Sequence, residues 1–120
     1  MTKRAVVHIE IASKNQAETA KFYHEMFGWE TNQTTEPVAY TSFTAENTGG
    51  GFPEIGEMYK LGDVVIYIAS DDLAADLKKI ESLGGKIIMP HMEVPGYGEL
   101  AFFSDPTGNR VALWKNNSPE

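Results

Sequence analysis

The feature that most constrains this chain is a strand-like stretch that occurs twice. Ala5-Val6-Val7-His8-Ile9-Glu10-Ile11-Ala12-Ser13 returns 57 positions later as Gly62-Asp63-Val64-Val65-Ile66-Tyr67-Ile68-Ala69-Ser70. The same shift aligns Ala17 with Ala74, Lys21 with Lys78 and Gly28 with Gly85. Such agreement over about 20 positions marks a duplicated unit. In an extended chain alternate side chains share a face, so Val7, Ile9 and Ile11 form one row and Val6, His8 and Glu10 the other. Val64, Ile66 and Ile68 repeat the aliphatic row.

Each copy continues in the same way. Ser13 to Gln16 has the Ser-x-x-Gln form of a capping box, and Ala17, Ala20, Tyr23 and Phe27 follow at helical spacing up to Gly28. Strands are expected over 31–35 and, after the break at Glu36-Pro37, over 38–45. The Gly-rich stretch 46–62 reads as a mobile loop with at most one short strand. In the second copy, strand 63–69 leads through Asp71-Asp72 to a helix with Leu73, Leu77, Ile80 and Leu83 on one stripe, ending at Gly84-Gly85. Residues 86–94 form a strand whose Pro90 belongs at an edge or bulge. A turn at 95–98, strands over 100–104 and 110–115, and the turn Asp105-Pro106-Thr107-Gly108-Asn109 complete the copy. The fold class is therefore α+β: two pseudo-repeated βαβββ modules, about 4–60 and about 62–116, within one domain of 120 residues. A chain of this length buries roughly two-thirds of the surface its unfolded form exposes.

Composition excludes several function classes. There is no cysteine, so disulfides, thiolate metal sites and thiol nucleophiles are all absent, which suits a cytoplasmic protein. A net charge of −7 opposes nucleic-acid binding. No apolar run is long enough for a membrane span, and the one after Met-Thr-Lys-Arg is too short for a signal-peptide core.

With the helices on one face of each sheet, the other faces are expected to enclose a cavity lined by His8, Glu10, Tyr67, Arg110, Ala112 and Trp114. His8 and Glu10 emerge on one face about 7 Å apart, at roughly 3.3 Å per residue. That spacing suits ligand binding or an acid and base sharing a pocket. Tyr67 and Trp114 are candidate walls for a flat ligand, and Arg110 a candidate clamp for a carboxylate. His91-x-Glu93 repeats the His-x-Glu spacing on the Pro90 strand, outside this face. His24 belongs to the polar side of the first helix, and Glu54 and Glu57 read as solvated loop acids.

The His8 strand, Ala20-Lys21-Phe22-Tyr23 with Met26-Phe27-Gly28-Trp29, and Phe102-Phe103-Ser104-Asp105-Pro106-Thr107-Gly108-Asn109 together resemble the vicinal oxygen chelate superfamily. This group contains glyoxalase I, bleomycin resistance proteins and extradiol dioxygenases. The resemblance spans residues 5–115 and is nearest to small members related to lactoylglutathione lyase. It implies βαβββ modules paired as an incomplete barrel around a cavity, usually in a homodimer, with a small-molecule ligand. It also implies a divalent-metal site, for which His8 matches the first ligand position. The matching position in the second module is Val65, and the late-strand carboxylate position is Ala112. Neither donates an electron pair, so no tightly held metal cofactor is expected. The function expected is that of a small-molecule-binding, lyase- or isomerase-like relative using His8 and Glu10 without that metal. The alternatives are a ligand-sequestering protein of the bleomycin-resistance kind and a metal-dependent glyoxalase or dioxygenase.

Overall fold

In the computed structural model, which describes residues 2–36 and 39–117, the strand-helix plan of the repeat is drawn twice. The first pass runs β1 (Val6–Ile11), α1 (Gln16–Phe27), β2 (Glu30–Thr34), β3 (Tyr40–Thr44) and β4 (Gly49–Gly51). The second runs β5 (Val64–Ala69), α2 (Leu73–Ser82), β6 (Lys86–Val94), β7 (Gly98–Ser104) and β8 (Arg110–Asn116). In each, the first strand pairs in parallel with the last, Ile9 opposite Gly50 and Tyr67 opposite Ala112. The remaining pairs are antiparallel, giving the orders β2-β3-β4-β1 and β5-β8-β7-β6. The chain is α+β, with two βαβββ repeats.

Compactness divides the chain elsewhere than the repeat does. One unit holds His8–Val65; the other holds Ile66 onward together with the residues up to Val7. The start of β1, through Val7, belongs to the second of these units. Arg4 secures it there: its guanidinium grips both carboxylate oxygens of Asp76, at 2.5 and 2.9 Å, while Ala69 N–H donates to Ala5 O at 3.1 Å. Hydrogen bonding from Arg4, with a further bond from Ser70, holds the Asp76 carboxyl below its ordinary range.

In the His8–Val65 unit the core is Ala20, Phe43 and Phe52, with Ile9, Ile11, Tyr23 and Trp29 against it. Trp29 stacks on Tyr23 and Phe43 with ring centroids 4.9 and 4.4 Å apart. Phe27, placed on this stripe by its spacing, is at the helix end and stays exposed. The capping box moves as well. Asn15 is the N-cap, accepting from Glu18 N–H, because Ser13 Oγ is taken by Asn15 N–H and the Thr19 hydroxyl. Gln16 instead donates to Phe52 O. Gly28 closes the helix in the left-handed region, φ 75°.

In the other unit Leu73, Leu77, Ala101 and Leu113 form the core under Ile68, Ile80, Ile87 and Phe103. Leu83 falls outside the stripe, exposed at the C-cap. Asp72 caps α2 through Ala75 N–H. Pro90 lies on the edge strand β6, within the register shift between Met89 and Met92. The strand expected over 38–45 is described from Tyr40; Pro37 and Val38 lie outside the described residues.

Candidate functional site

Glu10 is the anomaly from which the site is built. A carboxylate on a strand is ordinarily solvated, yet this residue is 5% exposed. Burial is tolerable only with donors around the group, and three converge on it. His8 Nε2 lies 2.8 Å from Glu10 Oε2, the Tyr40 hydroxyl donates to the same oxygen, and Tyr59 Oη lies 3.5 Å from Oε1. Tyr40 Oη is also 2.9 Å from His8 Nε2, which closes a triangle of three polar atoms. Burial, reinforced by the Glu10 charge, pushes the Tyr40 phenol far above its ordinary range, so it stays protonated and donating.

Each member reaches the triangle for a local reason. His8 and Glu10 share a face because β1 alternates. Tyr40 opens β3, two residues before Ser42, which pairs with Gly51, which in turn pairs with Glu10. A Cβ built at Gly51 would overlap the Tyr40 hydroxyl and ring. Gly50 is equally constrained, since a Cβ there would overlap Ile9 O. The one short strand that the 46–62 stretch was expected to hold at most is this glycine run, which needs backbone without side chains. Tyr59 comes from the following loop, which Ser13 N–H to Pro53 O and Ile55 N–H to Ser13 O fasten to the end of β1.

Tyr67, Arg110 and Trp114 gather in the other unit, around Phe102. Tyr67 and Phe102 are buried and meet edge to face at 6.2 Å. Trp114 lies 6.4 Å from Tyr67 and donates its indole N–H to Asn116. The Arg110 guanidinium lies 4.9 Å from the Phe102 ring centroid, a cation–π position. His91 on β6 pairs with Glu99 on β7 at 2.6 Å. His24 Nδ1 meets Trp29 O at the end of α1, and Glu54 and Glu57 are exposed.

The residues do not fit the divalent-metal site that the resemblance implies. The repeat equates Glu10 with Tyr67, and the ladders pair these with Gly51 and Ala112. Gly51 is thus the first-module counterpart of Ala112, and a third position without a donor joins Val65 and Ala112. The space a side chain at 51 would need is filled by Tyr40. Among the described residues no three His, Asp or Glu side chains group closely enough to hold a metal ion. Alternation put His8 and Glu10 on the list, whereas Tyr40 and Tyr59 carried no short-range signal.

The Glyoxalase/Bleomycin resistance protein/Dioxygenase superfamily model matches residues 5–113. Anthracycline biosynthesis protein DnrV of Streptomyces peucetius is 29% identical over 92% of this chain and 46% of its own length. The chain thus spans about half the length of that curated relative. The fold matches the crystal structure of hypothetical protein BH1468 from Bacillus halodurans, with TM-score 0.76, 12% identity and 99% of both chains covered. It also matches methylmalonyl-CoA epimerase from Mycobacterium tuberculosis, with TM-score 0.69, 12% identity, 98% of this chain and 94% of that one. Among the described residues no helix is long and apolar enough to cross a membrane.

Proposed function

The chain belongs to the glyoxalase/bleomycin resistance protein/dioxygenase superfamily, and from that premise we propose that it binds a small carbonyl compound and moves a proton on it, with His8 as the reacting base. The observation that carries this reading is the buried Glu10 carboxylate against His8 Nε2 at 2.8 Å. A carboxylate there orients the ring and stabilises the imidazolium that forms when His8 takes a proton. The neutral ring removes a proton from the carbon beside the carbonyl. The C–H electron pair becomes the C=C of an enolate, with the negative charge on oxygen. The imidazolium then returns the proton to carbon, so the step is an isomerisation and consumes no co-reactant.

A second reading is supported by the aromatic cluster of Tyr67, Phe102 and Trp114 and by the name of the anthracycline biosynthesis relative. On this reading the protein sequesters a flat aromatic compound without altering it. One experiment separates the two. Keto-aldehyde thiol adducts, catechols and cationic antibiotics are screened by thermal shift, and each hit is incubated with the protein in D2O. Proton transfer predicts deuterium entering the hit beside its carbonyl, slowed about 100-fold or more in His8→Gln. A stabilising ligand recovered without deuterium would replace this reading with the binding one.

The homodimer belongs to the same proposal. Phe22, Met26 and Phe27 are each more than half exposed on α1 and its end, an apolar surface that a second copy would cover. Light scattering should give twice the 13.3 kDa chain mass; a monomer at micromolar concentration would remove the dimer.

A further inference from the structure

The proton count of the triangle identifies a residue that the functional reading does not use. Three contacts must be satisfied at once: His8 Nε2 to Glu10 Oε2 at 2.8 Å, His8 Nε2 to Tyr40 Oη at 2.9 Å, and the Tyr40 hydroxyl to Glu10 Oε2. If the phenol donated to a bare Nε2, the ring lone pair would face the carboxylate with no proton between them. If Nε2 carries the proton, it is shared between Oε2 and Oη, the phenol donates to Oε2, and every contact has its hydrogen. Only the second assignment satisfies a carboxylate that accepts and cannot donate.

We infer that Tyr40 is the positioning residue of this site, with Gly51 as its enabling residue. Its hydroxyl lies across Gly51 and locks Glu10 against His8 Nε2–H. Glu10 is a long side chain with several rotatable bonds, and Tyr40 and Tyr59 hold its two oxygens from different elements. Tyr40 has the shorter bond and is the one that also touches the ring. His8 meets Glu10 on its own strand and Tyr40 on β3, and Tyr59 reaches Glu10 from the loop after β4. Any side chain at position 51 would overlap the Tyr40 hydroxyl and ring. A phenol thus stands where a side chain at position 51 would project.

The inference rests on His8 being the reacting group, but its test does not, because it uses the ligand-free protein. Ring-nitrogen NMR of His8, at a pH where the ring is neutral, should show a single Nε2–H form in the unaltered protein. Tyr40→Phe, still folded by its amide spectrum, should exchange the Nε2 proton about tenfold faster, as loss of one ordinary hydrogen bond implies, with ring shifts moved toward a mixture of the two forms. Gly51→Ala should do the same with Tyr40 present. In alkaline absorbance titration it should also release one tyrosine that resists ionisation in the unaltered protein and is missing in Tyr40→Phe. His8 ring signals unchanged in Tyr40→Phe would overturn the inference. So would a Gly51→Ala protein that keeps its resistant tyrosine. If Gly51→Ala does not fold, the Tyr40→Phe ring spectrum alone decides.

Discussion

Glu10 shows how much one side chain can commit a strand to. Truncating it to Ala would leave the His8 N–H and Tyr40 O–H without their shared acceptor in a part-buried site, and each such group costs about 1–3 kcal/mol. Glu10→Ala should therefore lower unfolding free energy in urea by about 2 kcal/mol or more, and Tyr59→Phe by less, since its bond is long at 3.5 Å. Equal effects would mean that the triangle does not concentrate the energy. Trp114→Ala is a contrasting case: it should weaken an aromatic ligand by about 1 kcal/mol or more and leave the fold intact. An unfolded mutant would assign Trp114 to the core instead. At this scale the sequence was half legible. Alternation put His8 beside Glu10 because period 2 is local, but Tyr40 depends on a strand pairing that brings together residues 30 apart and on the missing side chain of Gly51.

The turn between β7 and β8 is an element whose chemistry is nearly all local. Asp105 accepts from the Asn109 side chain and backbone and from Thr107, and these bonds hold its carboxyl at about 2. A carboxyl held below its unfolded value stabilises the fold above the unfolded pKa near 4, and that stability is lost as pH falls toward 2. Acid unfolding of the native chain should therefore steepen between about pH 4 and 2, and Asp105→Ala should flatten that part of the curve. An identical acid limb would show that the turn contributes nothing there. Such elements are read easily from sequence, as was the Pro90 bulge. The capping box failed because Ser13 and Asn15 both suit an N-cap, and the choice depends on Thr19 and on Phe52, one of them far away. The glycine run holds the one short strand that the 46–62 stretch had room for, but composition describes a strand of bare backbone and a loop in the same letters.

On the scale of the whole molecule, the 57-residue repeat gave the architecture, since a duplicated pattern constrains both halves at once. It did not give the compact units, which cut across it: the chain enters one unit at His8, leaves it after Val65, and has its first residues in the other. Arg4→Ala should speed hydrogen exchange at the Ala69 amide, which donates to Ala5 O, relative to amides on β7. Equal exchange would show that Arg4 does not anchor the strand. The same tether sets an order of events during synthesis. Arg4 and Asp76 are 72 residues apart, so the opening strand leaves the ribosome long before its partner exists. At roughly 5–20 residues per second, Arg4 and Ala5 wait several seconds without the Asp76 and Ala69 groups that hold them, while His8–Val65 can already collapse behind them. Their exposure to chaperones and to other nascent chains is fixed by where the partner helix is encoded.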